Sequence, residues 1–342
     1  MRENKKLKVA IVGYGYWGPN LARNFEYSDQ FELICICDLS ESLLIKASIN
    51  HPNVKTLTSF EEVLNLHNLE AVVISTPPSS HFMLGMKALE RNKHVLIEKP
   101  LAQTSKECLL LMGEARSRNL VLMVDHTFTY TGAVMKMRAL AKSSLGELLY
   151  YDSVRINLGL FQRDINVMWD LAVHDLSILD SLTGFLPKSV SATGLAHVDG
   201  YPTNTAYLTL FYEEPFIAHI NCSWMAPVKI RRTLLGGSSK MIVYDDLEPT
   251  EKIKVYDKGI SLNPTDEEKY DMCVDYRTAD VYSPKVDGTE ALALLVEEFA
   301  GCILTNRKPA SDATSGLRVV SILEAADISL SKCGTPVEVQ SC

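Results

Sequence analysis

A glycine-rich turn near the amino terminus constrains this chain more than any other feature. Gly13, Gly15 and Gly18 follow the apolar run Val9–Val12 and precede a helical pattern that opens at Pro19. In a strand–turn–helix unit, the first glycine permits a tight turn, the second lets the backbone approach a pyrophosphate, and the third lets the helix pack closely on the strand. The spacing therefore predicts a dinucleotide-binding unit whose helix amino terminus faces the phosphates.

An acidic residue at the end of the second predicted strand extends this pattern. Asp38 lies 20 residues after Gly18, where a carboxylate can accept hydrogen bonds from the adenosine ribose hydroxyls. The same carboxylate would repel a 2′-phosphate, and no Arg or Lys follows until Lys46. The sequence favours NAD over NADP, with a glycine turn that binds nothing as the alternative. Tyr16 and Trp17 are candidate cofactor contacts within the turn, although Trp17 could equally serve packing.

Strand and helix patterns alternate through the first third of the chain. Five runs rich in Val, Ile and Leu show little polar alternation, which is typical of strands buried on both faces of a parallel sheet. Capping boxes at Ser59–Glu62 and Thr104–Glu107 indicate helix starts between them. We predict a doubly wound α/β Rossmann domain over residues 1–125. Its predicted strands are Lys8–Val12, Glu32–Cys37, Ala71–Ser75, His94–Ile97 and Val121–Val124.

Consecutive strand patterns replace this alternation after about Asp125. Short turn signals separate them, which favours a large, mostly antiparallel sheet in a second, α+β domain over residues 126–342. We expect irregular loops over Leu247–Ser283, and a closing helix at about 314–331 that packs back toward the first domain. The predicted strands are Leu148–Asn157, Ser189–His197, Thr205–Phe211, Ile217–Trp224, Arg231–Leu235 and Lys240–Tyr244. The predicted helices run from Trp169 to about Leu182, over Glu290–Leu304 and over Thr314–Leu330.

Composition and charge exclude several classes of protein. The 342 residues are 46% apolar and 22% charged, which fits about two globular domains. The net charge of −8 argues against nucleic-acid or membrane-surface binding, which needs an excess of Lys and Arg. Apolar runs are too short for a membrane helix or a signal-peptide core, so we expect a cytoplasmic protein. The 8 Cys show no zinc-like spacing, so we expect reduced thiols and no metal site.

Two short constellations contain the side chains that could carry chemistry. Glu98-Lys99-Pro100 follows an apolar strand that would deliver both charged residues to the crevice at the carboxyl end of the sheet. Asp170 and His174 are four residues apart on a predicted helix and so share a face. A carboxylate beside an imidazole raises its basicity, so this pair could take the proton of a sugar hydroxyl as hydride leaves the carbon. The structural alternative for Glu98 and Lys99 is a surface ion pair. The alternative for Asp170 and His174 is a pair that only tethers the helix to its neighbour.

Together these residues resemble the Gfo/Idh/MocA oxidoreductases. The motifs Ser75-Thr76-Pro77-Pro78-x-x-His81, Glu98-Lys99-Pro100 and Asp170-x-x-x-His174 follow the glycine turn and Asp38 in the family's order. The resemblance implies that Lys99 contacts the substrate hydroxyl and the nicotinamide ribose and stabilises negative charge on oxygen. It also implies that His174 is the base in oxidation and the acid in reduction, supported by Asp170. Further cofactor contacts implied by the resemblance are Ser75, Thr76, Pro77, His81 and Glu98.

A narrower resemblance concerns the substrate. Gly13–Asn20 is similar to the nucleotide-sugar branch, whose members oxidise the C3 hydroxyl of a UDP-N-acetylated sugar to a ketone that an aminotransferase then uses. The glycine-rich stretch of some members before the Asp-x-x-x-His helix is absent here, which leaves the uronic-acid form of the substrate open. Candidate substrate ligands besides Lys99, Asp170 and His174 are His126, Arg155, Asn157 and Arg163. The alternative for His126 is a hydrogen-bonded structural histidine. The alternative for Arg155, Asn157 and Arg163 is solvated surface charge.

The function that follows is NAD-dependent oxidation of a ring hydroxyl of a nucleotide sugar, at C3, in surface polysaccharide or amino-sugar biosynthesis. A dehydrogenase of inositol or another cyclic polyol is an alternative that needs no diphosphate-binding Arg. A ketosugar reductase is another, which Asp38 disfavours because such reductases often use NADPH. A non-catalytic NAD-binding regulator would not need Lys99 and His174 together. The resemblance also implies a homodimer or homotetramer through the second domain's sheet, and a pyridoxal-phosphate aminotransferase in the same pathway.

Overall fold

The computed structural model describes residues 6–159, 161–259 and 280–340. Contacts divide them into two compact units. The first unit contains the described residues up to Tyr130 together with Thr289–Ser321, and the second contains those from Thr131 to Gly288 and from Ile322 onward. Within the described ranges, no helix combines the length and the apolar character needed to cross a membrane.

A parallel sheet forms the centre of the first unit. Its six strands among the described residues lie in the order β3-β2-β1-β4-β5-β6, and every pairing is parallel. The strand order reverses between β1 and β4, which is the point where such sheets bind ligands at their carboxyl edge. The predicted doubly wound fold is confirmed. The strands are β1 Leu7–Val12, β2 Phe31–Cys37, β3 Lys55–Leu57, β4 Ala71–Ile74, β5 His94–Glu98 and β6 Leu122–Asp125.

Helices connect these strands and recur in the second unit. The predicted box at the start of α5 is present, because Thr104 accepts from the Glu107 N–H and Glu107 accepts from the Thr104 N–H, each at 3.2 Å. At Ser59 the structure shows the first half of such a box, a bond from the Glu62 N–H at 3.4 Å. In the described residues the α-helices are α1 Gly18–Tyr27, α2 Glu41–Asn50, α3 Phe60–Leu64, α4 His81–Glu90, α5 Ser105–Ser117, α6 Gly132–Ser143, α7 Val173–Thr183, α8 Ala291–Thr305 and α9 Ala313–Ser331.

Helix α8 packs into the core of the first unit. Its Phe299 ring stacks on Phe31 of β2, with ring centroids 5.8 Å apart, and Glu290 at its start pairs with Arg23 of α1 at 2.6 Å. The compact units therefore differ from the predicted division at residue 125, which assigns α8 to the second domain. The reason is that α8 packs into the same core as residues between Leu7 and Tyr130, which lie far earlier in the chain. Helix α9 is divided between the units at Ser321.

A mixed, mostly antiparallel sheet forms the centre of the second unit. Among the described residues its nine strands lie in the order β14-β13-β12-β11-β7-β10-β9-β8-β15. The pair β7 and β10 is parallel, and the other pairings are antiparallel. The predicted sheet is thus confirmed. The strands are β7 Leu148–Leu158, β8 Ser189–Leu195, β9 Thr205–Phe211, β10 Ile217–Ser223, β11 Met225–Gly237, β12 Met241–Asp245, β13 Ile253–Tyr256, β14 Val281–Tyr282 and β15 Val337–Glu338.

The charged segment after residue 246 differs from its prediction. We expected irregular loops over Leu247–Ser283, but β13 and β14 lie within that range. Ile253 and Val255 are fully buried in β13, and the intervening Lys254 hides this short apolar alternation in the sequence. The part of the expected loop at residues 260–279 lies outside the described residues.

Candidate active site

The glycine turn has the geometry that a bound pyrophosphate requires. Gly13 has φ +99°, and a Cβ added there would lie 2.5 Å from the carbonyl oxygen of Ser75. A Cβ on Gly18 would overlap the carbonyl oxygen of Gly13, whereas a Cβ on Gly15 would meet nothing within 4 Å. The turn is therefore packed tightly against the protein at its first and third glycines and open at its second. That opening is where a pyrophosphate would approach the backbone and the start of α1.

The Asp38 carboxylate is held in place at the end of β2. Its Oδ2 accepts the Tyr14 N–H at 2.7 Å and its Oδ1 accepts the Ser40 N–H at 2.8 Å. Each carboxylate oxygen has a further lone pair, which suits it to accept ribose hydroxyls. Asp38 and the turn together fit the adenosine half of NAD. The Tyr16 side chain, another predicted cofactor contact, is 93% exposed.

The loop after β4 is tied to the glycine turn and to the loop after β5. The Ser75 hydroxyl donates to the Gly13 carbonyl at 2.7 Å, and the Thr76 and Ser80 hydroxyls bond at 2.6 Å. The His81 ring bridges two carbonyl oxygens, with Nδ1 at 2.8 Å from Pro100 O and Nε2 at 2.8 Å from Thr76 O.

This geometry corrects the expected role of His81. Its side chain is fully buried and both ring nitrogens are occupied by backbone carbonyls. His81 therefore holds two loops in place, and neither of its ring nitrogens is left to contact a cofactor. Thr76 and Pro77 lie on one of those loops and remain candidates to line the nicotinamide end of the site.

Four polar residues lie at the carboxyl ends of the last two strands of the first sheet. Glu98 and Asp125 are partner positions on β5 and β6, and Lys99 and His126 come directly after them. The Glu98 Oε2 accepts the Lys99 backbone N–H at 3.0 Å. Burial, followed by the charge of Asp125, raises the pKa of Glu98 well above its usual range. These residues gather at the carboxyl edge of the sheet, where ligands bind in this fold.

Trp17 connects the glycine turn to this cluster. Its indole Nε1–H donates to Asp125 Oδ2 at 3.2 Å, and the Thr127 hydroxyl donates to Asp125 Oδ1. Both the packing role and the cleft role predicted for Trp17 are compatible with this bond. Asp125 was not among the predicted site residues. Like Glu98, it comes at the end of an apolar strand, and this similarity could have identified it from the sequence.

His126 is buried and neutral at ordinary pH. Its side chain is 1% exposed, and among the described residues neither ring nitrogen has a hydrogen-bond partner. Burial, with the nearby charge of Lys99, lowers the pKa of His126 to about 3. A neutral imidazole can both donate and accept, so His126 remains a candidate to bind a ligand's polar group.

The second predicted constellation lies at the start of the helix that contains His174. The segment Met168–Ala172 is a π-helical turn, and α7 continues it to Gly184, whose φ of 67° ends the helix. Asp170 lies in the π turn and accepts the Trp224 Nε1–H at 3.0 Å. His174 lies in the first turn of α7 with its Nδ1 shielded from solvent. Single π turns of this kind occur frequently at functional sites.

Further hydrogen bonds fix the π turn within the second unit. The Trp169 indole donates to Asp327 Oδ2 at 2.7 Å, and the Asn166 amide donates to Asp327 Oδ1 at 2.7 Å. Asn166 also accepts the Met168 N–H at 3.0 Å. The segment carrying Asp170 is thus held at several points. No sequence pattern pointed to Trp224 or Asp327, because each reaches this segment from a distant part of the chain.

The role expected for Arg155 is corrected by the structure. We expected its side chain to bind sugar hydroxyls or a diphosphate, but it is 3% exposed. Its Nε donates to Asp175 Oδ2 at 2.7 Å and its Nη2 to Asp175 Oδ1 at 3.2 Å. Arg155 therefore anchors α7 to the sheet. Asn157 lies partly exposed near the end of β7.

Arg163 keeps an exposed guanidinium. Its Nε donates to the Tyr201 hydroxyl at 3.1 Å, and its Cζ lies 5.2 Å from the centre of the Tyr201 ring. These contacts orient the side chain and leave other N–H donors available for an anion. Of the two Arg residues predicted to bind a diphosphate, Arg163 is the one that the structure leaves available.

Metal and thiol chemistry find no support in the described part of the chain. It contains no group of three or more His, Cys, Asp or Glu side chains that could hold a metal ion. Its six Cys are free thiols. Burial raises the pKa of Cys35 to about 12 and that of Cys37 to about 11, so these two stay protonated and unreactive.

Two family models match this chain. Residues 7–126 match the NAD-binding Rossmann fold of the Gfo/Idh/MocA oxidoreductases, and residues 160–243 match the C-terminal domain of the same family. The chain is a member of the Gfo/Idh/MocA oxidoreductase family. Its first unit is the NAD-binding domain of that family, and the predictions of an oxidoreductase and of a Rossmann domain are confirmed.

Individual members of the Gfo/Idh/MocA family match along the whole chain. The UDP-N-acetylglucosamine 3-dehydrogenase of Acidithiobacillus ferrooxidans is 27% identical over 322 residues, covering 92% of this chain and 94% of the relative. Its crystal structure superposes with a TM-score of 0.82 at 23% identity, covering 96% and 99% of the two chains. GenD2 from gentamicin A biosynthesis, solved in complex with NAD, shares the fold with a TM-score of 0.83 at 18% identity and coverage of 100% and 98%.

Proposed function

We propose that this oxidoreductase uses NAD to oxidise the C3 hydroxyl of a UDP-N-acetylated hexosamine to a ketone. The observation that carries the proposal is the similarity to UDP-N-acetylglucosamine 3-dehydrogenase, which covers 92% of this chain. The side chains that this reaction needs are present as Lys99, Asp170 and His174. The reaction would serve surface polysaccharide or amino-sugar biosynthesis. An aminotransferase partner and a homodimer or homotetramer are part of the same proposal.

The residues of the first unit would hold NAD and stabilise charge on the substrate oxygen. The open backbone at Gly15 would receive the pyrophosphate, and the Asp38 carboxylate would accept the ribose hydroxyls. When bound, the nicotinamide ring supplies the hydride acceptor. The Lys99 ammonium would stabilise the negative charge that develops on the substrate oxygen as its proton leaves.

The residues of the second unit would accept the proton. The His174 imidazole would act as the general base, and the Asp170 carboxylate would favour its protonated form. The bond from Trp224 orients one oxygen of Asp170. In the reverse direction, His174 would return the proton to the oxygen of the ketone, so the same groups serve both directions.

Arg163 would recognise the diphosphate of the nucleotide sugar. Its guanidinium is exposed and is oriented by Tyr201, and an Arg fork suits phosphate oxygens. A cyclic polyol carries no diphosphate, so this residue separates the nucleotide-sugar hypothesis from the polyol hypothesis.

The test follows NADH absorbance with a panel of UDP-, dTDP- and GDP-sugars and free inositols. We expect NADH only with UDP-N-acetylated hexosamines or their uronic acids. Lys99→Met and His174→Asn should each lower kcat by about a hundredfold or more while NAD still binds. Turnover of inositols alone would move the chain to the polyol branch. Retention of biological function by a Lys99→Met, His174→Asn double variant would favour the non-catalytic regulator.

Arg163→Ala tests the diphosphate contact. We expect the KM for the nucleotide sugar to rise by about tenfold with little change in kcat, since a binding contact rather than a reacting group is lost. Arg91→Ala, which removes an exposed Arg of the first unit, is the matched control and should leave both constants unchanged. An unchanged KM in Arg163→Ala would contradict the proposed contact.

A further inference from the structure

Two carboxyl groups lie next to each other at the carboxyl edge of the first sheet. Glu98 and Asp125 are partner residues on the neighbouring parallel strands β5 and β6. Asp125 is 2% exposed. Glu98 is partly exposed, but its Oε1 atom is shielded from solvent. Two ionised carboxylates that are shielded from water in this way would repel each other strongly.

Hydrogen-bond donors are distributed unequally between these two groups. Asp125 accepts the Trp17 indole N–H at 3.2 Å and the Thr127 hydroxyl, one on each oxygen. Glu98 accepts the Lys99 backbone N–H on Oε2 at 3.0 Å. Within the described residues, no N–H or O–H group donates to Glu98 Oε1. Asp125 is therefore equipped to hold a negative charge, whereas Glu98 has a donor on only one of its two oxygens among the described residues.

We propose that Glu98 is a protonated carboxylic acid in the working enzyme and shares its proton with Asp125, so that the pair carries a single negative charge. A proton on Glu98 makes it a donor to the neighbouring carboxylate and removes the repulsion between them. The arrangement assigns different functions to two acidic residues that look alike in the sequence. Asp125 is the charged acceptor that also holds Trp17 of the glycine turn, and Glu98 is a neutral donor.

The electrostatic surroundings agree with this assignment. Burial is the largest influence on Glu98, Asp125 is the second, and both raise its pKa. The Lys99 charge acts in the opposite direction and ranks below both. His126 is neutral here because burial and Lys99 lower its pKa, and His81 is engaged with two carbonyl oxygens. Among the described residues, Lys99 is therefore the one cation that lowers the pKa of Glu98, and its effect is smaller than those of burial and Asp125.

The consequence for catalysis rests on the function proposed above. If Glu98 were ionised, its charge would offset that of Lys99 directly beside it in the chain. A neutral Glu98 does not offset the Lys99 charge, which would stabilise a developing alkoxide, the type of interaction that contributes most in such sites. Glu98 is thus a positioning residue whose neutrality, rather than its charge, serves the reaction.

Infrared spectroscopy of the full-length protein in D₂O tests the charge state without a substrate. The wild-type spectrum minus that of Glu98→Gln should show the C=O stretch of a carboxylic acid. Asp125→Asn should keep that band at a shifted wavenumber, because burial still favours a protonated Glu98 while the carboxylate that accepts its proton has become an amide. Glu61→Gln is the matched control, since it removes an exposed glutamate paired with Lys87 and should remove only carboxylate bands. Absence of the acid band from the wild-type spectrum overturns the proposal. Retention of that band in Glu98→Gln also overturns it, whatever the activity of the variant.

Kinetics give a second readout that a packing role would not produce. Gln has the shape and neutrality of a protonated Glu and its amide can donate to Asp125, so Glu98→Gln should retain at least about tenfold more kcat than Glu98→Ala, with the wild-type pH profile. A loss of about a hundredfold, rescued by no neutral side chain, would show that a Glu98 charge is needed. Because the infrared test requires neither substrate nor turnover, its failure is distinct from a failure of the proposed dehydrogenase function.

Discussion

Arg155 and Asp175 form a buried, two-point ion pair that anchors α7 to β7 within the second unit. The Nε to Oδ2 distance is 2.7 Å and the Nη2 to Oδ1 distance is 3.2 Å. Asp175 directly follows His174 in the sequence, so this pair fixes the rotation of α7 at the proposed base. We therefore expect Arg155 to act on the proposed reaction through the position of His174.

Breaking this pair on one side should destabilise the protein and impair catalysis. Asp175→Ala leaves a buried guanidinium without its carboxylate, which we expect to lower the free energy of unfolding by about 3–5 kcal/mol. The double variant Arg155→Met, Asp175→Leu should recover most of that stability, because apolar pairs can replace buried ion pairs. Its kcat should stay low, since the orientation of α7 is no longer fixed. Thermal unfolding and kcat measured on both variants check this, and full recovery of kcat in the double variant would contradict the positioning role.

The glycine turn offers a pair of variants that separates folding from NAD binding. Gly15→Ala should leave the stability of the cofactor-free protein within about 0.5 kcal/mol, because the added Cβ meets nothing within 4 Å. Its NAD affinity should fall by about tenfold or more, since the methyl group occupies the approach to the pyrophosphate. Gly13→Ala should instead destabilise the protein by about 2 kcal/mol or more, because its φ is positive and the Cβ would meet the Ser75 carbonyl. Calorimetric titration with NAD and thermal unfolding distinguish the two. Unaltered NAD binding in Gly15→Ala would contradict the assignment.

Asp38 should determine the preference for NAD over NADP. Asp38→Asn keeps the side-chain shape but removes the charge, so we expect the Kd for NAD to rise by about tenfold, as for a lost charged hydrogen bond. The ratio of the Kd for NADP to the Kd for NAD should fall, because the repulsion between the Asp38 carboxylate and the 2′-phosphate of NADP is relieved. Glu41→Gln, an exposed carboxylate at the start of α2, is the control. An unchanged ratio of the two affinities in Asp38→Asn would refute this role.

His126 should make the protein sensitive to acid. Its pKa is lowered in the folded state, so the unfolded state binds a proton that the folded state does not. The stability contributed by the neutral ring is complete above pH 6.5 and is lost as the pH falls toward about 3. Between pH 6.5 and 5.5, the free energy of unfolding of wild type should fall by about 1 kcal/mol more than that of His126→Gln. Urea unfolding at two pH values measures this, with the exposed His67→Gln as the control. Parallel pH dependence of wild type and His126→Gln would show that the buried ring does not titrate in this way.

The elements that the sequence predicted well have a strong local signal. All five predicted strands of the first sheet are present, and the glycine turn between β1 and α1 has the expected strain at Gly13. Short strands at or next to a sheet edge were missed. β3 has three residues and β13 has four, and runs this short show no clear periodicity. Their pairing comes from neighbouring strands rather than from their own composition.

Long-range partners limited the prediction of the site. Arg155 lies in a strand where polar residues occur on both faces, so the side facing the core could not be told from alternation. Its partner Asp175 comes from a helix 20 residues later. The partners of α8 are also distant in the sequence, and its apolar residues do not reveal which of the two domain cores it joins. Lys99 and His174 were found because their motifs are local, whereas Trp224 and Asp327 act only through the fold.

Transfer of a labelled hydrogen tests the central claim most directly. UDP-N-acetylglucosamine deuterated at C3 would be incubated with the enzyme and NAD, and the deuterium content of the NADH formed would be measured by mass spectrometry. The account predicts that the deuterium appears in NADH and that a C3 ketone appears in the sugar. Substrate deuterated at C4 should yield unlabelled NADH. Label transferred from C4 instead, or no NADH from this sugar while NAD binds normally, would contradict the account.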